Sequence, residues 1–229
     1  MSLFAIGDTH LSFGTDKPMN IFRGWDNYVE RLRENWIKLV SENDTVVVMG
    51  DISWGMSLEE SLQDFIFLNN LPGRKIVLKG NHDYWWNTRA KMEKFFCENG
   101  LNTISVLHNN SFKVENISVC GTRGWFFDAE DDKDKKVIFR EAERLKRSIE
   151  YGRKLSNEPV VFLHYPPVNN FQKCEVIYNV LLEEKIKRCY YAHLHSISAN
   201  NSFNGFSDGI KFELLSCDYL KFCPKLIEK

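Results

Sequence analysis

Short β-branched runs alternate with stretches of helical periodicity in the first part of the chain. Leu3 to Ile6 is an uninterrupted apolar run ended by Gly7, the pattern of a buried strand. Thr45 to Met49 (Thr-Val-Val-Val-Met) ends at Gly50, and Lys75 to Lys79, with Ile-Val-Leu inside it, ends at Gly80. Between the first two runs, Trp25, Tyr28, Val29, Leu32, Trp36 and Leu39 follow the helical period and predict a helix over roughly Trp25 to Val40. A second helix is expected from about Leu58 to Asn69, with Pro72-Gly73 as its stop. Strand–helix–strand–helix–strand is the order of an α/β fold with parallel pairing.

The second half reads differently. Ser111 to Val114 and Ile117 to Cys120 flank Glu115-Asn116 and suit a hairpin; Pro159 to Leu163, Cys189 to Ala192 and Lys211 to Leu215 are further strand candidates. Asp134 to Lys154 predicts a long charged helix with Val137, Ile138, Leu145 and Ile149 as a partial apolar face. Asp128 to Lys136 is charge-dense and is expected to be a solvated loop. No repeat or low-complexity segment interrupts the chain, so one domain over 1–229 is expected, carrying a charged helical insertion at about 128–157.

Composition narrows the classes. At 229 residues and 43% hydrophobic, the chain can bury one sizeable core. With 30 Lys+Arg against 31 Asp+Glu, the net charge of -1 gives no reason to expect nucleic acid as the main partner. The basic residues of the long helix, among them Arg140, Arg144, Lys146 and Arg147, are interleaved with Glu141, Glu143 and Glu150, as on a solvated face. Six cysteines without a C-x-x-C pair read as reduced core residues, which predicts a cytoplasmic setting. The N-terminus lacks the pattern of a signal peptide and no run is long enough to span a membrane, so no membrane partner is expected.

The chemistry-bearing residues follow the strand candidates. Gly7-Asp8-Thr9-His10 comes after the first, Gly50-Asp51 after the second and Gly80-Asn81-His82-Asp83 after the third. His164 ends a later run, and Tyr190-Tyr191-Ala192 leads into His193-Leu194-His195. Open α/β sheets place their sites at such strand ends. Carboxylate and imidazole donors suit divalent ions of hard to borderline character. Asp8 and His10 are two apart and would point the same way if the stretch stayed extended, and so would His193 and His195. Enough donors are present for two ions, with one carboxylate bridging. Taken singly, Asp8 or Asn81 would read as an ordinary turn or cap residue. Their joint recurrence at five strand ends favours the metal site.

These five blocks, in this order, resemble the calcineurin-like metallophosphoesterases, whose motifs are GD-x-H, GD, GNH-[DE], a lone H and GH-x-H; here they span residues 7 to 195. The resemblance implies a four-layer α/β/β/α sandwich with two central mixed β-sheets. It implies two divalent metal ions (Mn, Fe, Zn or Co), one held by Asp8, His10, Asp51 and His195 and the other by Asp51, Asn81, His164 and His193. Asp51 would bridge, and His82 would lie beside the scissile phosphate as the catalytic residue, with Asp83 supporting its loop. The implied activity is hydrolysis of a small phosphate monoester or diester by in-line attack of a metal-bridging hydroxide. Two departures matter. Ala192 stands where the family has glycine. The arginines that serine/threonine protein phosphatases carry after their second and third blocks are replaced by Ile52-Ser53-Trp54-Gly55 and Tyr84-Trp85-Trp86, which argues against protein-phosphatase activity.

Three further readings stay open. Arg123, in Gly121-Thr122-Arg123-Gly124-Trp125, fits either a phosphate grip or a surface ion pair. Trp54, Tyr84, Trp85 and Trp86 either wall a pocket or, for at least two of them, pack in the core. His108, in an Asn-rich loop, is expected to be an ordinary surface histidine. Besides the hydrolase, the alternatives are a binding or scaffold protein that has lost catalysis on the same fold, and a nuclease, which would want a basic groove. Substrate and oligomeric state are not legible.

Overall fold

The computed structural model describes residues 1–125 and 132–229. Its first sheet is built from β1 (Leu3–Ile6), β2 (Thr45–Val48), β3 (Arg74–Val77), β4 (Ile104–Val106) and β11 (Lys225–Glu228), in the order β11-β1-β2-β3-β4. The first four run parallel, and β11 closes the edge antiparallel to β1. The second sheet is ordered β5-β6-β7-β8-β10-β9, from β5 (Phe112–Val114), β6 (Ile117–Thr122), β7 (Glu158–Leu163), β8 (Arg188–Tyr191), β9 (Gly205–Ser207) and β10 (Ile210–Leu214). Its four inner strands are parallel, and the hairpin expected at Glu115-Asn116 supplies the antiparallel edge strand β5. Both sheets are therefore mixed.

Residue alternation along the strands makes the layers. Leu3, Ala5, Val47, Met49, Ile76 and Leu78 of the first sheet face Val119, Val160, Phe162 and Tyr190 of the second. The opposite faces are covered by helices. On the first sheet, α1 (Tyr28–Leu39), α2 (Leu62–Asn70) and α3 (Arg89–Glu98) bury Leu32, Trp36, Phe65, Met92 and Phe96. On the second, α4 (Asp132–Arg153) and α5 (Glu175–Glu183) bury Leu145, Ile149, Ile177 and Leu181. This is the four-layer α/β/β/α sandwich. No helix among the described residues is long and apolar enough to cross a membrane.

Several expectations need correction. The charged helix forms the outer layer of the second sheet. Glu141 and Ser148 are buried at its inner face, and Ser148 accepts from Gly121 N (2.9 Å) and donates to Asn110 O (2.6 Å). The solvated loop expected over Asp128 to Lys136 lies outside the described residues as far as residue 131, and from Asp132 onward the chain is already helical. Of the six cysteines, four are buried, but Cys97 is exposed and Cys223 only half-buried. His108 is half-buried against Trp86, and burial lowers its pKa. The elements not anticipated are α3, α5, β4, β9 and β11; the three strands are short, and all three lie at sheet edges.

Candidate metal centre

The carboxyl ends of β1, β2, β3, β7 and β8 meet in one place, and the polar residues that follow them turn inward. Asp8, His10 and His195 bring three potential donor atoms within 4.8 Å of one another, as do Asp51, His164 and His193, so each group could hold a metal ion. Asp51 lies between the two: its Oδ2 is 3.8 Å from His10 Nε2 and 3.6 Å from His164 Nε2. Asn81 joins the second group, with Oδ1 at 2.7 Å from His164 Nε2 and 2.8 Å from His193 Nδ1. All seven side chains singled out by sequence for metal binding thus converge.

Their route there differs from the expected one. Asp8 and His10 do not share a direction through an extended stretch; both are left-handed, with φ 60° and 44°. Hydrogen bonds from Asp8 N to Gly50 O (2.9 Å) and from His10 N to Asp51 O (2.9 Å) fix that turn. His193 is left-handed as well (φ 74°), whereas His195 is extended (φ -118°), so the two histidines part and serve different groups. Gly50 needs its φ of 84°, which a side chain would strain. Gly7 is needed for space: a Cβ there would lie 2.4 Å from the Ala192 Cβ, so glycine in the first block accommodates alanine in the last.

A surrounding set of hydrogen bonds orients the rings. Met49 O can only accept, so His164 Nδ1 (3.0 Å) carries the hydrogen there and Nε2 faces Asn81 with its lone pair. Asp218 does the same for His195, accepting from Nδ1 at 2.9 Å and leaving Nε2 toward Asp8 and His10. Tyr28 Oη donates to His10 O (2.8 Å). Asp218 and Tyr28 were missed in the sequence. For Asp218 a signal existed, since it closely follows the strand candidate ending at Leu215.

Asp83 holds the second and third blocks together. It is fully buried and accepts from the backbone N–H of Asp51 (2.9 Å), Ile52 (2.8 Å), Ser53 (3.4 Å) and Gly80 (2.7 Å), and from Trp85 Nε1 (3.0 Å). Burial, then the charge of Asp51, pushes its pKa up to about 6. Asp83→Ala should leave these donors without an acceptor in a dry site and cost at least about 3 kcal/mol of stability. Denaturant unfolding checks this, and a loss below about 1 kcal/mol would mean that water takes over the role.

The electrostatics are those of a site built for cations. Burial works to raise the Asp8 pKa, but His195, His164 and His10 hold it well below the carboxylate range. Burial, then the negative charge of Asp8, pushes Asp51 up to about 8. Burial would lower His195, but Asp8 and Asp218 carry it up to about 10. Burial and His164 press His193 down to about 3, and burial lowers His10, His164 and His82. Asp8 Oδ1 is buried without a hydrogen-bond partner, and His193 Nδ1 and His164 Nε2 lie 3.3 Å apart, both beside Asn81 Oδ1. Such a convergence of acceptors is what divalent cations satisfy.

The remaining residues lie around this centre. His82 rests against Trp54 (4.6 Å between ring centroids) and His10 (5.8 Å), with Nδ1 buried and unpartnered. Trp54 stacks on His10 at 4.9 Å, so it does wall the site, while Trp85 is in the core against Phe65 and Tyr84 is exposed. Arg123 makes no ion pair among the described residues; its guanidinium lies over Trp125 at 4.5 Å with Nε buried and unpartnered, and its carbonyl accepts from Tyr165 N (2.9 Å), beside His164.

The family model described as calcineurin-like phosphoesterase matches residues 1–196. No curated protein matches the chain in sequence. Among solved structures, it is similar to a phosphopantetheinyl hydrolase of Mycobacterium tuberculosis (TM-score 0.59, 12% identity, covering 99% of this chain and 95% of that one). It is similar also to a protein of unknown function from Aquifex aeolicus (TM-score 0.55, 14% identity, 98% and 95%). A third likeness is to GAP50, the anchor in the inner membrane complex of Plasmodium (TM-score 0.55, 12% identity, 95% and 72%).

Proposed function

Because this chain belongs to the calcineurin-like phosphoesterase family, we propose that it hydrolyses a small phosphate monoester or diester with two divalent cations bound at the strand-end cluster. Asp8, His10, Asp51 and His195 would hold one, and Asp51, Asn81, His164 and His193 the other. The observation that carries this reading is the buried meeting of acceptors, with Asp8 Oδ1 unpartnered and Asp51 within 4 Å of a ring nitrogen from each group. When bound, the paired cations supply an acidified water as nucleophile and offset the charge of the phosphoryl oxygens. His82 would give a proton to the leaving oxygen, because an adjacent phosphate dianion favours its charged form. Arg123 would grip a phosphoryl oxygen, since its guanidinium makes no ion pair among the described residues and its Nε is buried without a partner. Ion identity among Mn, Fe, Zn and Co is left to geometry.

The binding-protein alternative has a structural precedent in the Plasmodium anchor, but the full ligand set and His82 favour the enzyme. The phosphopantetheinyl hydrolase likeness extends to the fold alone. One domain over 1–229 is part of the proposal, supported by the pairing of Leu3 with Glu228. So is a reducing, cytoplasmic setting, supported by the buried thiols of Cys120, Cys174, Cys189 and Cys217.

Chelation should abolish turnover of mono- and diesters, and one of the four metals should restore it. Metal binding should also release protons. In the metal-free protein Asp51 at about 8 and His195 at about 10 still hold theirs at pH 7, and both must lose them to coordinate. Affinity should therefore climb as pH rises through 8 and toward 10. Calorimetry in two buffers of different ionisation heat measures this, and binding without proton release would defeat the ligand assignment.

A further inference from the structure

We propose that the alcohol half of the substrate ester is a flat apolar group, held in a cleft between the metal centre and the segment around Met19–Ile21; the proposal rests on the phosphoesterase reading above. A cavity of about 300 Å³ opens beside the site, small for a ligand pocket and suited to a group of one or two rings. One side of it is made by His10, His82 and His195. The facing side is Met19, Phe22, Trp25 and Trp54. Whatever oxygen leaves the phosphorus beside His82 thus leaves toward an apolar wall.

The wall is set before any ligand arrives. Trp54 stacks on His10 with 21° between ring planes. Trp25, 2% exposed, stands edge-on to His10 and His195 (5.8 Å each) and to Phe222 (5.1 Å). Rings locked in this way lose little freedom on binding. Beyond Phe22 and Trp54 the cleft continues into a second hollow of about 340 Å³ that adds Pro18 and Ile21 and reaches polar groups only at Asp16 and Lys17. Phe22 is 52% and Ile21 74% exposed at the mouth, apolar surface that a ligand would cover.

The lining also argues against polar alcohols. Among the described residues, the polar groups lining the first hollow are the three imidazoles, Ser196 and the indole N–H groups of Trp25 and Trp54, the latter buried without a partner. The several hydroxyls of a sugar or glycerol would lose water there and find fewer partners than they need. The segment between β1 and α1 therefore sets specificity.

The test compares esters whose alcohols are alike in acidity and differ in apolar bulk: 2-(1-naphthyl)ethyl phosphate against ethyl phosphate and glycerol phosphate. Metal-loaded protein should favour the naphthylethyl ester by about tenfold or more in kcat/KM. Phe22→Ser, at a half-exposed position, should reduce that ratio to near one. A ratio near one in the wild type, or one unmoved by Phe22→Ser, overturns the proposal. Binding of 2-(1-naphthyl)ethanol, titrated into metal-free protein by calorimetry, gives an independent readout. It should bind to the wild type and weaken about tenfold in Phe22→Ser, and absence of binding overturns the cleft assignment. If no ester is turned over under any metal, the phosphoesterase reading fails while the alcohol titration still decides the cleft.

Discussion

Asp51→Asn is expected to lower kcat/KM on the order of 10³-fold or more while leaving the fold intact. The carboxylate lies between two imidazole groups, with Oδ1 accepting from His82 N at 2.7 Å and Oδ2 reaching toward both His10 and His164. An asparagine keeps the first contact through its carbonyl, so the loop that carries His82 stays in place. What it loses is the charge and the second acceptor, which a bridging position between two cations needs. The same substitution should stabilise the metal-free protein, and the sign can be worked out. Burial, then the charge of Asp8, raises the folded-state pKa of Asp51 to about 8 from the ordinary carboxyl value of 3.8. Between those values the folded state holds more protons than the unfolded one, so stability falls as pH rises through this window. Asparagine does not titrate. Its melting temperature in chelator should exceed the wild type's most at pH 8 to 9, with the gap narrowing toward pH 4. With metal present the order should reverse, because only the wild type gains binding free energy. A variant as active as the wild type, or a metal-free melting gap that widens toward acid, would remove Asp51 from the centre.

The part of this site that was legible in sequence is the part set by local pattern. An apolar run ended by glycine predicts a strand and its turn, and Asp8, Asp51 and Asn81 each follow such a run; His164 and His193 follow apolar runs without the glycine. Continuous apolar runs predicted the inner strands because they are buried on both faces. What was not legible depends on partners far along the chain. His195 is oriented by Asp218 from the turn after β10, and the apolar wall is assembled from two segments, Met19, Phe22 and Trp25 before α1 and Trp54 after β2. Edge strands such as β11 are half-exposed and carry Lys and Glu, so no alternation marks them. The two-apart rule failed at Asp8 and His10 for a related reason. The left-handed turn there is enforced by bonds to Gly50 and Asp51 of the neighbouring strand end, which no window on the first block contains.

His82 stands apart from the donor groups, and its removal separates charge stabilisation from proton donation. His82→Ala should preserve metal binding, because neither donor group includes it. It should also preserve stability, since the ring is only half-buried and its contacts are with Trp54 and His10 at the rim of the cavity. Turnover of an alkyl ester should fall about 10²- to 10⁴-fold, the range for loss of a positioned general acid. The informative quantity is how that loss depends on the alcohol. An alkoxide is a poor leaving group and needs the proton, whereas 4-nitrophenolate leaves without help. If His82 protonates the leaving oxygen, the variant should lose at least tenfold less on 4-nitrophenyl phosphate than on ethyl phosphate. If it only offsets charge on the phosphoryl oxygens, the two losses should match, because those oxygens are the same in both esters. Equal losses would therefore move His82 from acid to electrostatic partner, and no loss on either ester would take it out of the reaction.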